Sequence, residues 1–426
     1  MHDKLKITMR YRWYIFLILA IQYLLVYFHR VAPAVTAPEM EDAFAISGTA
    51  LGVLASAYFY SYGIMQVPVG ILSDRWGPRN VIVLSGFIAS FGAISFGLSP
   101  NFTIAITSRI IVGIGVSALF IAAMKILANW FKGIELARIS GVLMATGGLG
   151  WLMATTPLAV MSQTFGWRES FVVVGIFSLV PAVLSWFILA DSPSKKALPD
   201  VIEASDNSKK TNINIIKDLN MILRERHFWA IAIWFIFRGG ALFGFFGLWA
   251  GPYLTETYHL SKYTAGNILS MIAFAMILLS PVLGHISDKT LSSRKKVLFY
   301  TSVLNSLCWL TILIFFEQMS TLWLYIIFFI MGITISSVGT IAIVSTKELF
   351  PPDMAGTSMG TMNVFPFIGG IIFQPLLGYV LDRIGKVQGT YPAYAYKHML
   401  WILFITSVFA LISISFSKET IKKDPV

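Results

Sequence analysis

The sequence predicts an all-α membrane protein of twelve transmembrane helices, arranged as two similar six-helix bundles, and three observations carry that prediction. The chain is 56% hydrophobic and only 12% charged, with a mean hydropathy of +0.74, a balance that soluble domains of average composition do not have. Apolar windows of about 20 residues, the length that crosses a bilayer as a helix, recur from end to end. The longest polar segment, 191–227, falls midway and divides those windows six and six.

In order, the windows cover 13–36, 49–72, 80–98, 103–129, 137–162, 169–190, 228–254, 264–287, 296–316, 322–346, 355–381 and 397–416. Each is too long and too evenly apolar for a strand. The basic start MHDKLKITMRYRW precedes a run that is too long for a signal peptide and lacks a small-residue cleavage site, so a retained first span is expected. The other connections are short, as for antiparallel neighbours in a bundle. The expected organisation is an N-terminal bundle over 1–190, a cytoplasmic linker over 191–227 with a short amphipathic helix at 212–225, and a C-terminal bundle over 228–426. Cys308 is the single cysteine and lies in an apolar window, so no disulfide framework is possible.

A formal net charge of +11 suggests nucleic acid until its placement is considered. With both termini in the cytoplasm, the outer loops hold only Arg168, Lys262, Arg383, Lys386 and Lys397, while most other Lys and Arg fall on cytoplasmic segments. That is the positive-inside pattern. The basic balance orients the chain in a bilayer, expected to be the bacterial cytoplasmic membrane, and recruits no nucleic acid.

Four cations interrupt the apolar windows: Arg30, Arg109, Lys125 and Arg238. A charge deep in a bilayer costs roughly 2.5 to 3.5 kcal/mol on insertion scales and normally faces a bundle interior or a wet cavity. Arg30 sits in YLLVYFHRVAPAV, and Arg238 lies about ten residues into AIAIWFIFRGGALFGFFGLW, close to mid-membrane depth at about 1.5 Å per residue. Two such cations point to a site for an anion. Guanidinium stays charged and offers two parallel hydrogen bonds to a carboxylate or phosphate. The competing reading has Arg30 reaching for headgroups.

Residues three, four or seven apart share a helix face, which places Tyr23 and Tyr27 with Arg30, and Trp234 and Phe245 with Arg238. These rings could stack on guanidinium or touch a substrate, or simply pack. Lys125 either extends the anion site or reaches the inner headgroups. Arg109, at the outer end of its window, reads as structural. His29, beside Arg30, is the one intramembrane group that could titrate near neutrality, although a neighbouring cation discourages its protonation. Gln66, Asn363 and Gln374 could hydrogen-bond a substrate or a facing helix.

Carboxylates are missing from the central portions of the windows: Glu39, Glu41, Asp42, Glu256 and Glu348 lie at their ends. Export of cationic drugs, which needs a buried acid, loses its instrument. No Ser/His/Asp set, Cys/His cluster or phosphate-binding Gly loop stands in a soluble domain, so no enzyme, cofactor or metal is expected.

The two halves repeat. GILSDRWGPR follows the second window with Gly70, Asp74, Arg75, Gly77 and Arg79, and GHISDKTLSSRKK follows the eighth with Gly284, Asp288 and Lys289. Asp74 can pair with a basic group, or cap a helix terminus, in one conformation only, and so bias a two-state equilibrium. The alternative is an interfacial charge that sets topology.

GxxxDRxGxR at 70–79 resembles the loop 2–3 signature of the major facilitator superfamily, and Arg109 with Gly113 resembles its fourth-helix RxxxG element. The resemblance covers the whole chain and implies a carrier of two pseudo-symmetric six-helix bundles, working as a monomer by alternating access. ATGGLGWLMATTP and FIGGIIFQPLLG occupy corresponding places in the halves, where small residues with Pro157 or Pro375 allow close approach and bending, or only ordinary packing. The surroundings of both arginines resemble the organophosphate/phosphate antiporters and the anion:cation symporters, the second arginine being followed by Trp249, Pro252, Tyr253 and Leu254. By that resemblance Arg30 and Arg238 meet at the pseudo-twofold axis and clamp the substrate's anionic group. The antiporters' fifth-helix histidine is absent from SGVLMATGGLGWLM, which makes a carboxylate at least as suitable a substrate as a phosphate ester.

The expected function is secondary active transport of a small organic anion, coupled to a proton, sodium or a counter-anion. A citrate-type siderophore would use the same cations in a larger cavity, and an amino acid or peptide would need an acid that the windows lack. A transporter-like membrane sensor is the alternative from another class.

Overall fold

The computed structural model describes residues 2–199, 215–351 and 354–421. Every regular element among them is a helix. Among the described residues, ten helices are long and apolar enough to cross a membrane. The second window forms the 28-residue helix Gly48–Arg75, and the tenth forms Thr321–Ser337, continued by a wide turn, Val338–Ala342, and by Ile343–Leu349. Residues 200–214, the centre of the expected linker, lie outside the described residues. Past them runs the helix Ile215–Arg224, which buries Ile222.

Local chemistry sets the ends of these helices. Asn101 accepts a hydrogen bond from the Ile104 amide at 3.0 Å, and Ser261 and Ser293 do the same for Thr264 and Lys296 at 3.1 Å each, satisfying first-turn donors that have no partner inside the helix. Pro33 ends the first helix at Val31 and opens the next, Pro33–Phe44, because its ring cannot follow the preceding turn. Arg30 therefore stands at a helix break. Large apolar side chains such as Ile64, Val67, Phe187 and Leu322 are exposed, an apolar exterior that suits lipid.

The chain divides into two compact units: Met1–Phe44 with Leu54–Ser208, and Ala45–Val53 with Lys209–Val426. In the first unit the third span, Pro78–Gly97, packs against the fourth, Phe102–Trp130, and the sixth, Trp167–Ile188. Small residues permit it: a Cβ on Gly115 would lie 2.3 Å from the Ala89 nitrogen, so the backbones touch. Near its start the first span is tied to the fifth by Arg12, whose Nη1 and Nη2 donate to Glu135 at 2.9 and 2.6 Å.

In the second unit, Phe228, Ile231, Trp234 and Phe235 of the seventh span pack with Val297, Leu298, Ile341 and Met362. The seventh span is α-helical to Gly239 and then widens over Gly240–Trp249, the i→i+5 pattern that recurs at functional sites. Its glycines face the eleventh span, where Gly239 meets Pro366 and Gly244 meets Phe373. Gln374 Nε2 donates to the Phe243 carbonyl at 3.0 Å, and the Gln374 carbonyl accepts from Trp249 Nε1 at 2.9 Å. Gln374 thus fastens the seventh span to the eleventh by both its side chain and its backbone.

Candidate substrate site and conformational switch

Arg30, 4% exposed, is enclosed by tyrosines from two helices. Its guanidinium carbon lies 4.5 Å from the Tyr27 ring centre and 5.2 Å from that of Tyr62, and Tyr58 also lies beside it. Tyr58 in turn donates to the Val26 carbonyl at 3.2 Å. Tyr23 meets Tyr27 edge-on at 5.5 Å and donates weakly to Met144 Sδ at 3.4 Å. The expected partners Tyr23 and Tyr27 are therefore beside Arg30, and the sequence reading missed Tyr58 and Tyr62. Their i, i+4 spacing in SAYFYSYG was the available signal, since it puts both hydroxyls on one face.

Gly147, from the glycine run of the fifth span, explains how Tyr27 reaches its place. A Cβ there would stand 2.7 Å from two Tyr27 ring carbons. The run in which a histidine was sought is the surface on which the Tyr27 ring rests.

Arg109, expected as a structural residue near the outer end, is 1% exposed. Its Nη1 donates to the His29 carbonyl at 3.0 Å, and its guanidinium carbon is 5.1 Å from the Tyr58 ring centre. Its Nε and Nη2 have no hydrogen-bond partner. Tyr58 consequently lies beside both Arg30 and Arg109. Neither ring nitrogen of His29 has a hydrogen-bond partner, and the ring borders a cavity of about 10 Å³ with Gln22 and Ser178, space for about one water.

In the second unit, Arg238 is 3% exposed. Its Nε and Nη2 lack hydrogen-bond partners, and it forms no ion pair with a described residue. Its guanidinium carbon is 5.7 Å from the Trp234 ring centre, and Trp234 is held by a 2.7 Å bond from Nε1 to Ser302 Oγ. Trp234 thus lies beside Arg238. Phe245, within the wide turns from Gly240 onward, joins Trp309 at 5.2 Å and Tyr253 at 5.7 Å. Asn363 sits at the break between Ala355–Met362 and Phe365–Ile384, half-buried, and Gln374 is committed to the seventh span as described.

Lys125 differs most from expectation. Its Nζ lies 2.5 Å from Asp74 Oδ1 and 3.3 Å from the Gly70 carbonyl, so it engages the loop motif and not Arg30. A carboxylate one helix away outcompetes the bilayer interior for an ammonium on a flexible stem. Asp74 remains 72% exposed, and Arg75 is exposed. Gly77 turns with φ +90°, a conformation that favours glycine, and the following Arg79 amide donates to Asp191 at 2.8 Å. In the second copy, Gly284 lies in the last α-helical turn of Lys262–His285 and Lys289 is exposed. Asp288 pairs with Arg294, which also reaches Glu348 at 3.0 Å and Ser287 Oγ at 3.1 Å. Both loop aspartates are paired within their own unit. Among the described residues, no group of three His, Cys, Asp or Glu side chains is placed to hold a metal.

The chain matches the Major Facilitator Superfamily over residues 19–373. It is 23% identical over 387 residues to the probable sulfoacetate transporter SauU of Cupriavidus necator, covering 87% of each chain. It is 24% identical to the probable galactarate/D-glucarate transporter GudP of Bacillus subtilis, covering 89% of this chain and 87% of that one. A solved bacterial homologue of the human lysosomal transporter Spinster has a TM-score of 0.76 at 18% identity, covering 95% of this chain and 96% of that one.

Proposed function

We propose that this chain, which belongs to the Major Facilitator Superfamily of membrane transporters, moves a small organic anion across the bacterial cytoplasmic membrane by alternating access. The observation that carries the reading is Arg238, a buried guanidinium with Nε and Nη2 unpartnered and no ion pair to a described residue. A permanent charge so placed is costly, and a transported anion is the partner that would repay it. Arg30 is the matching cation of the first unit, and its four tyrosines add hydroxyls suited to an oxygen-rich substrate.

The substrate favoured is a small hydroxylated carboxylate, with sulfonates and phosphorylated compounds as neighbours in chemistry. Two observations support it: the fifth span presents Gly147 to Tyr27 with no histidine in SGVLMATGGLGWLM, and the two relatives above are named for a sulfonated acetate and for sugar diacids. The carrier works as a monomer with both termini in the cytoplasm, driven by a proton, sodium or a counter-anion. Asp74 with Lys125, and Asp288 with Arg294, are its conformational switch.

The test is a thermal-shift screen of purified protein against sugar acids, dicarboxylates, sulfonates, phosphate esters and citrate-type siderophores, followed by uptake into proteoliposomes. The expected result is stabilisation by a carboxylate that disappears in Arg30→Ala and Arg238→Ala. A ligand effect that survives both substitutions would move the site elsewhere, and uptake confined to cations would end the anion reading.

A further inference from the structure

The loop motif occurs a third time, at the far end of the eleventh span. Gly378, Asp382, Arg383 and Gly385 in GYVLDRIGK repeat the spacing of Gly70, Asp74, Arg75 and Gly77 in GILSDRWGP. The turn repeats with it: Gly77 has φ 90°, ψ 141°, and Gly385 has φ 85°, ψ 166°. The two aspartates are nevertheless engaged differently. Asp74 is exposed beside Lys125, whereas Asp382 is surrounded by donors.

Asp382 Oδ1 accepts from the Gly48 amide at 2.8 Å and from the Tyr391 hydroxyl at 2.7 Å. Its Oδ2 accepts from the Thr49 amide at 2.7 Å and the Thr49 hydroxyl at 2.5 Å. Those amides open the helix Gly48–Arg75, so the carboxylate satisfies first-turn donors at the positive end of the helix. Tyr391 is itself held, because its amide and the Tyr396 hydroxyl both donate to Glu256, at 3.0 and 2.8 Å. Contact is close enough to exclude side chains: a Cβ on Gly378 would stand 2.2 Å from the Gly48 carbonyl oxygen, and one on Gly52 would stand 2.4 Å from the Gln374 carbonyl oxygen. Residues Ala45–Val53 accordingly group with the second unit, while the same helix from Leu54 onward groups with the first.

Asp74 and the Asp382 contact therefore occupy opposite ends of one helix, about 40 Å apart at 1.5 Å per residue. We propose that Asp382 is a releasable latch on the start of the second span, the counterpart of the Asp74 switch at its other end, and that the transport cycle requires this latch to open. A carboxylate bound only by hydrogen bonds and small-residue contact can let go without dismantling a core. The proposal rests on the transporter reading.

The experiment locks the latch. In a Cys308→Ser background, Thr49→Cys and Asp382→Cys are joined by oxidation or by a short bifunctional thiosulfonate, and uptake of the anions that the wild type transports is compared before and after reduction. Cross-linking is expected to bring uptake to background, with recovery on reduction. A cross-linked carrier that transports as fast as its reduced form would overturn the latch and leave Asp382 a static cap. If the reduced pair, or the wild type, moves no anion tested, hydrogen exchange of residues 48–58 decides the latch separately from the substrate assignment. Cross-linking should then slow exchange there at least about tenfold, and equal exchange in the linked and reduced proteins would overturn it.

Discussion

Replacing Arg238 with methionine should stabilise the empty protein while abolishing transport. The guanidinium is 3% exposed, with Nε and Nη2 unpartnered. A buried ion without a counter-ion costs several kcal/mol even after relaxation. Set against this is the cation–π contact with Trp234 at 5.7 Å, worth about 2 kcal/mol when desolvated. Methionine preserves much of the stem and removes the charge, so the balance favours the variant by a few kcal/mol. Toward an anion the sign reverses, because two charge-assisted hydrogen bonds at about 1.5 to 3 kcal/mol each are lost, a drop in affinity of at least about 100-fold. The assay pairs a melting curve of ligand-free Arg238→Met with uptake into proteoliposomes. A lower melting temperature with normal uptake would show that Arg238 supports the fold and carries no anion.

Gly147→Val should push the Tyr27 ring off Arg30 and weaken anion binding by roughly 2- to 30-fold, the range of one cation–π contact. The check is the double variant with Tyr27→Ala, which should bind no worse than Tyr27→Ala alone. Lys125→Met breaks a pair whose members are 33% and 72% exposed, so stability should change by less than about 1 kcal/mol while the maximal transport rate changes severalfold. A large fall in melting temperature at an unchanged rate would make the pair structural. Partial burial works to raise the Glu419 pKa, but hydrogen bonds from Ser293 and the Ile421, Arg294 and Thr420 amides outweigh it and hold the carboxyl below its ordinary value. A depressed pKa means that this contribution is complete above the ordinary glutamate value and lost as pH falls through the lowered one. The protection factors of residues 417–421, taken relative to intrinsic exchange, should therefore fall in that acidic window, and Glu419→Gln should show low protection at every pH.

The membrane fold, its helices and both loop motifs are legible in the amino-acid sequence, because a bilayer admits few solutions to backbone hydrogen bonding and twenty apolar residues nearly dictate one of them. The third motif copy at Gly378–Lys386 was also legible, though its partner was not. Helical periodicity names neighbours along one helix, which is why Tyr27 and Trp234 could be placed beside their arginines. It is silent on which helix faces which. Packing of small residues brought Tyr58 and Tyr62 to Arg30, carried Lys125 to Asp74 and set Asp382 on the amides of Gly48 and Thr49. The widened turns after Gly239 set Phe245 against Trp309 and Tyr253. Composition and period thus determined what the chain is built from, while contact between helices, governed by side-chain size and unsatisfied hydrogen bonds, decided where its charges point.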